Sequence, residues 1–118
     1  MATYTKSKLS GSTNGKGILV ATAVSAGATT IHTAVSGTTN FDEVWLYAVN
    51  SSALDVKLTI EFGNTTDPDD YIEFTIPAED GLYAVIPGLI LQNSAVVTAW
   101  AGTANVLVIY GFVNNIIN

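Results

Sequence analysis

Apolar and polar side chains alternate without a break over residues 55–62. The apolar set consists of Val56, Leu58, Ile60 and Phe62. A period of two residues is typical of a β-strand that turns one face to a core and the other to water, and it does not fit the 3.6-residue period of a helix. The segment therefore predicts a half-buried strand and places Glu61 on its solvent side.

Further runs rich in β-branched and aromatic residues lie on both sides of this strand, with Gly, Pro, Asn and Ser between them. Such spacing is typical of an all-β sandwich or barrel. The predicted strands cover residues 18–24, 29–35, 43–49, 55–62, 71–76, 82–86, 95–100 and 106–113. We expect the first two to pair as a hairpin and Pro87-Gly88 to form a turn, with residues 89–91 as a short strand or a crossing loop.

About eight short strands in 118 residues predict one antiparallel β-sandwich of the jelly-roll type. A chain of this length buries roughly two thirds of the surface that it exposes when unfolded, so it needs no metal or disulfide to fold. An immunoglobulin-like sandwich is the alternative. The chain has no cysteine, so it lacks the disulfide that accompanies the core tryptophan of true immunoglobulin domains.

The N-terminal segment differs in composition from the rest. Lys6, Lys8 and Lys16 lie within the first sixteen residues, which contain no acidic residue and end in small polar side chains. This composition predicts a flexible basic arm over residues 1–16, followed by a single domain over residues 17–118. The three lysines are candidates for binding an acidic partner, and a solvated leader is the simpler alternative.

The predicted domain is strongly acidic, because residues 17–118 contain one lysine, Lys57, and all ten acidic residues. This balance predicts that the domain binds neither nucleic acid nor an anionic membrane. The apolar run at residues 18–24 is too short for a signal peptide or a membrane span. We therefore expect a soluble, unprocessed protein.

Few residues could support catalysis. Without cysteine or arginine the chain lacks a thiol nucleophile and the guanidinium fork that often binds phosphate. His32 is the only histidine, and no neighbouring residue in the sequence marks an activated nucleophile, so we expect it to be structural. Carboxylate pairs for glycoside hydrolysis could come from Glu61, Glu73, Glu79 and Asp80, but Glu61 and Glu73 are expected to face water. We predict no catalytic residue and no cofactor.

The loop over residues 63–70 offers one weak metal candidate. Asp67, Asp69 and Asp70 carry the hard oxygen donors that Ca²⁺ prefers. No EF-hand pattern is present, and acidic residues beside Pro68 commonly form a solvated turn. A plain turn is therefore the favoured interpretation.

Two predicted strands, residues 43–49 and 106–113, are apolar on both alternating sets of positions. Such strands are central in a sheet or are covered on their second face by a neighbour, so a lone subunit would expose a hydrophobic patch. Aromatic residues in strands could also stack on sugars, although a place in the core is the more common role. The candidates are Trp45, Tyr47, Tyr71, Tyr83 and Trp100.

A polar basic N-terminal segment, a body rich in Thr, Val, Ala and Gly, and a succession of short strands together resemble the small virion proteins of tailed bacteriophages, most closely the capsid decoration or cement proteins. The resemblance implies a non-enzymatic protein on the outer surface of a phage capsid. It further implies a homo-oligomer, favoured as a trimer, that binds the major capsid protein and stabilises its contacts. The alternative is a carbohydrate- or receptor-binding module of a tail fibre or similar appendage.

Overall fold

The computed structural model describes residues 2–118, and these residues form nine β-strands. The strands are β1 (Thr3–Lys8), β2 (Ile18–Leu19), β3 (Thr29–Thr33), β4 (Phe41–Asn50), β5 (Val56–Gly63), β6 (Tyr71–Ile76), β7 (Tyr83–Leu91), β8 (Val96–Ala101) and β9 (Leu107–Ile117). No helix among the described residues could cross a membrane.

The strands form two antiparallel sheets. Sheet A has the order β1-β9-β4-β7, with β2 also paired to β9, and sheet B has the order β3-β8-β5-β6. After β2 the chain changes sheet at every connection except the β5–β6 hairpin. This is a jelly roll in which β1 and β2 share the place of one edge strand, and it confirms the predicted all-β sandwich. The order differs from that of an immunoglobulin sandwich, the alternative fold.

The core lies between the inner faces of the two sheets. β4 contributes its even-numbered residues, and its odd-numbered residues point to the outer face of sheet A. The inner residues of β5 and β8 meet them from sheet B. The fully buried core side chains include Val44, Leu46, Ala48, Leu58, Ile60, Val97, Ala99, Leu107 and Ile109. Strand β4 is central in its sheet, as its apolar character on both faces predicts.

The structure does not show a flexible arm at the N-terminus. Residues 3–8 form β1, which pairs with β9 from Thr3 opposite Ile117 to Lys8 opposite Phe112, and Leu9 is buried in the core. An edge strand with both faces near solvent needs few large apolar side chains. The composition of this segment therefore resembles that of a linker although the segment is a strand. Met1, the first residue of the predicted arm, lies outside the described residues.

Two further expectations about local structure are wrong. β2 pairs with β9 and β3 pairs with β8, so the predicted hairpin does not form, and residues 20–28 instead cross between the sheets. Pro87-Gly88 lies inside β7 rather than at a turn. β7 is an edge strand with two register shifts against β4, and a proline is tolerated there because its missing N–H is not needed by a second neighbour.

Between β1 and β2 the chain leaves sheet A to contact β3, and Gly11 makes this close approach possible. Its N–H donates to the carbonyl oxygen of Ile31 at 2.9 Å. A Cβ at this position would lie 2.5 Å from the carbonyl oxygen of Thr30 and 2.6 Å from that of Ile31. The backbone of β3 would have to shift to admit any side chain.

We therefore expect Gly11→Ala to lower the free energy of unfolding by about 2 kcal/mol, as other overpacked sites do. Gly102→Ala is the matched control, since its Cβ would meet nothing closer than 3.8 Å. Denaturant unfolding of both variants measures the difference. An equal change in both would show that the crossing to β3 tolerates a side chain.

Candidate functional site

The outer face of sheet A carries most of the aromatic side chains of the chain. Cross-strand partners in a sheet share a face, so the register places these side chains in adjacent rows. One row contains Tyr4, Ile116 and Phe41, another contains Lys8, Phe112 and Trp45, and a third contains Tyr110 and Tyr47. We call this surface the aromatic face, formed by Tyr4, Phe41, Trp45, Tyr47, Tyr110 and Phe112.

The aromatic face has an ordered centre. The rings of Trp45 and Phe112 stack with their centroids 6.0 Å apart and their planes 12° from parallel. The ammonium group of Lys6 lies 4.1 Å from the centroid of the Phe112 ring, within range of a cation–π contact. These contacts hold the two rings together on the outer face of sheet A, with the Lys6 ammonium over the Phe112 ring.

A single carboxylate, that of Glu43, lies among these rings. It accepts hydrogen bonds from the Trp45 indole N–H at 2.6 Å and from the Asn114 side-chain amide at 3.0 Å. Both bonds lower the pKa of Glu43 below its ordinary value. The bond from Asn114 has the larger effect and the bond from Trp45 the smaller one. The Glu43 side chain is therefore an ionised carboxylate, and in this form it holds the Trp45 indole in place.

The backbone beside the stacked rings also fits them. Gly88 has a φ of 84°, and a Cβ there would lie 2.8 Å from Cζ2 of Trp45. The Trp45 ring thus lies directly over the backbone of β7, at a position that only glycine accommodates. At the end of the face, Phe41 and Ile90 help to line an open groove of ≈ 490 Å³ that also includes Thr38, Thr39, Leu91 and Gln92.

The structure brings together two of the three predicted partner-binding lysines. Lys6 and Lys8 alternate with inward residues of β1 and therefore share the aromatic face. Lys16 lies apart from them, in the turn before β2, where its N–H donates to the carbonyl oxygen of Thr13. The two lysines outnumber Glu43, so this apolar face is locally basic on a protein with a net charge of −6.

His32 is buried in a hydrogen-bonded network that leaves it no free nitrogen. Its Nδ1 accepts the backbone N–H of Ser10 at 3.0 Å, and its Nε2 lies 2.7 Å from Oδ2 of Asp42. Because Nδ1 accepts, Nε2 carries the proton and donates it to the carboxylate. The other oxygen of Asp42 accepts the side-chain amide of Asn115 at 2.6 Å. The arrangement links β3, β4, β9 and the segment after β1, and neither ring nitrogen can act as a base toward a bound molecule.

The expectation that Glu61 faces water is wrong. Its side chain is fully buried, although it lies on the outer face of sheet B, because residues 20–28 cross that face. Glu73 is exposed and forms an ion pair with Lys57. Tyr83 donates a hydrogen bond to Asp80, at the turn before β7 and away from Glu61 on sheet B.

The three aspartates of the metal candidate belong to the turn between β5 and β6. Oδ2 of Asp70 accepts the backbone N–H of Thr66 at 3.0 Å, and the backbone N–H of Asp70 donates to the carbonyl oxygen of Thr66. Residues 2–118 contain no group of three or more acidic, histidine or cysteine side chains that could hold a metal ion. Asp67, Asp69 and Asp70 are therefore not brought together as ligands.

Most of the aromatic candidates lie outside the core. Trp45 and Tyr47 belong to the aromatic face, and Trp100 and Tyr71 meet edge-on upon the outer face of sheet B, with centroids 6.2 Å apart. Tyr83 is the one that packs against the core. Four residues of the aromatic face, Tyr4, Phe41, Tyr110 and Phe112, are not among the aromatic residues singled out from the sequence, although their alternation with inward residues of β1, β4 and β9 was a usable signal.

Comparison of the chain with protein-family models, with curated proteins and with solved structures finds no match.

The network around His32 predicts a specific loss of stability. In Asp42→Asn the new amide cannot accept from both His32 and Asn115, so one buried donor loses its partner. We expect the free energy of unfolding to fall by about 1–3 kcal/mol. Asp69→Asn is the control, since Asp69 is exposed in a loop, and it should change stability by no more than about 0.5 kcal/mol. Denaturant unfolding checks both values, and an unaffected Asp42→Asn would contradict the role given to the network.

Proposed function

We propose that this protein is a non-enzymatic assembly protein of the capsid decoration type, and that the aromatic face is the surface that binds the capsid. The observation that carries the proposal is the contiguous outward surface of rings and aliphatic side chains bordered by Lys6 and Lys8. Exposed apolar patches of this kind mark interaction sites on soluble proteins. Tyr4 and Tyr110 remain 68% and 42% exposed, so the protein does not cover the face itself.

The charge of the face favours one class of partner. Lys6 and Lys8 provide positive charge where Glu43 is already engaged by Trp45 and Asn114. A complementary surface is therefore apolar in its centre and acidic at its rim, opposite the lysines. Aromatic residues supply much of the binding energy of protein interfaces when they are fully desolvated, which suits a protein that adds contacts to an existing shell.

The edges of sheet A support association of the protein with itself. A ring of three copies requires two different patches that meet from neighbouring subunits. Tyr4 on β1 and Ile117 at the end of the neighbouring β9 are exposed at one edge, whereas Leu89 and Ile90 are exposed on β7 at the opposite edge. We propose that these two edges meet in a homotrimer, which would take up Tyr4 and leave the centre of the aromatic face, around Trp45, Tyr110 and Phe112, free for the capsid.

Capsid binding is tested by removing the charge of the face. We expect the double variant Lys6→Gln/Lys8→Gln to bind at least about tenfold more weakly than the unmodified protein, because two charge-assisted contacts are lost. The measurement is co-sedimentation with capsids assembled from the major capsid protein encoded in the same genome. Lys57→Gln is the matched control, since Lys57 lies on sheet B beside Glu73.

Binding of the double variant at the level of the control would remove the lysines from the interface. A protein that fails to sediment with capsids in any form would overturn the decoration function. The stability of each variant is measured in parallel, so that a folding defect is not read as a loss of binding.

The trimer is tested by complementation. We expect Tyr4→Asp and Ile90→Asp each to reduce the solution mass measured by light scattering from three subunits to one. An equimolar mixture of the two variants should recover a dimer, because each retains one intact edge. A monomer for the unmodified protein at high concentration would refute the trimer and leave attachment of single subunits.

A further inference from the structure

The outer face of sheet B contains a compact polar cluster. Thr59 lies opposite Trp100 and Glu61 lies opposite Thr98 in the pairing of β5 with β8, so all four side chains share this face. Thr22 joins them from above, because its carbonyl oxygen accepts the N–H of Ala101, next to Trp100. We call these five residues the Glu61 cluster, and we call residues 23–28, which cross over it, the strap.

The cluster holds buried polar atoms that lack partners. Glu61 and Thr59 are fully buried, and the Glu61 carboxylate accepts hydroxyl protons from Ser25 at 2.5 Å and from Thr98 at 2.6 Å. Three other buried atoms form no hydrogen bond: the hydroxyls of Thr22 and Thr59 and the indole N–H of Trp100. They are the only such side-chain atoms in the described part of the chain, and all three lie in this cluster.

Unpartnered buried polar groups destabilise a fold, and native proteins contain few of them. Their concentration beside one buried carboxylate therefore calls for an explanation that is particular to this site. A binding site is such an explanation, because a ligand would engage groups that folding leaves free.

The hydrogen-bonding needs of the cluster define the chemistry of a ligand. The Trp100 N–H requires an acceptor, the Glu61 carboxylate requires a donor, and the two threonine hydroxyls can serve in either role. An ammonium ion has no acceptor, and a phosphate is repelled by Glu61 and by nearby Glu73. A hydroxyl group both donates and accepts, so it meets every requirement.

The aromatic side chains beside the cluster favour a sugar over an ordered water. Tyr71 lies opposite Glu61 in the pairing of β5 with β6, and its ring makes a T-shaped contact with the Trp100 ring. Together the two rings form an apolar wall next to the polar groups. A sugar ring presents hydroxyls at its edge and C–H groups on its faces, and this matches a carboxylate beside an aromatic surface.

We propose that the Glu61 cluster is a binding site for a hydroxyl-bearing ring of a neutral sugar, and that the strap closes it in the free protein. Ser25 occupies the place of a ligand hydroxyl, since it donates to the carboxylate as a sugar hydroxyl would. Binding requires the strap to move aside and exchanges the Ser25 hydroxyl for that of the sugar.

The strap is suited to such movement. Its side chains are small except for Val24, which is 58% exposed, and none belongs to the hydrophobic core. The Ser25 contact to Glu61 holds it to the rest of the protein, whereas the bond from the Ala101 N–H to the carbonyl oxygen of Thr22 holds the segment just before it. Segments with few buried apolar contacts open at low free energy.

This site is separate from the proposed capsid-binding surface, because the outer faces of the two sheets point in opposite directions.

The experiment uses the two tryptophans as reporters, with Trp100 in the cluster and Trp45 on the aromatic face. The indole N–H signals of ¹⁵N-labelled protein are followed by NMR during titration with D-glucose, D-galactose, D-mannose and N-acetyl-D-glucosamine. Inorganic phosphate and butylammonium serve as probes of the other two chemistries.

We expect at least one sugar to shift the Trp100 signal saturably while the Trp45 signal stays unchanged. Glu61→Gln should weaken binding by about tenfold or more, because a hydrogen bond to a charged group is lost. Ser25→Ala should strengthen binding by up to about tenfold, because the competing hydroxyl is gone. Glu73→Gln, which removes an exposed carboxylate from the same face, should leave the affinity within about twofold.

Three results would overturn the site. The first is the absence of a saturable Trp100 shift with every sugar in both the unmodified protein and Ser25→Ala, a variant that leaves the core intact. The second is a shift of Trp45 in place of Trp100. The third is a loss of affinity in Glu73→Gln equal to that in Glu61→Gln. Capsid co-sedimentation of Glu61→Gln is measured alongside, and normal sedimentation would show that the two surfaces act independently.

Discussion

The pairing of β4 with β9 is the constraint on which the rest of the structure depends. All ten residues of β4 have a partner in β9, from Phe41 opposite Ile116 to Asn50 opposite Leu107. This register sends Val44 and Leu46 into the core and aligns Trp45 with Phe112 on the outside. A shift by one residue would exchange the two sets, burying Glu43 and the aromatic rings and exposing the aliphatic core. The β4–β9 pairing therefore determines both the core and the aromatic face.

The sequence predicts the parts of this fold that periodicity determines. The alternation over residues 55–62 identifies β5, and the doubly apolar run over residues 43–49 identifies a central strand. Periodicity within one segment does not predict which distant segment it pairs with. Residues 18–24 and 29–35 look like a hairpin because they are adjacent in sequence, yet each pairs with a later strand in a different sheet.

The same limit applies to the candidate sites. Alternation correctly assigns Glu61 to the outer face of sheet B, but only the three-dimensional path of residues 20–28 determines that this face is covered. The N-terminal lysines are visible in the sequence as a charged group. Their place beside Phe112 follows from the pairing of β1 with β9. The low apolar content of β1 gives no sign of this pairing in the sequence. In each case the local pattern sets the direction of a side chain, and a distant segment decides its surroundings.

The arrangement of β1 and β9 has a mechanical consequence. Thr3 lies opposite Ile117, and the two strands run antiparallel from there into the sheet. A force that draws these two residues apart would load the backbone hydrogen bonds one pair at a time, like the opening of a zipper. The same force along the strands would have to break all of them together. Beyond Lys8 the resistance would rise, because Leu9 is buried in the core and Ser10 is bonded to His32. The protein can thus yield its outermost strand under tension and keep its sandwich closed.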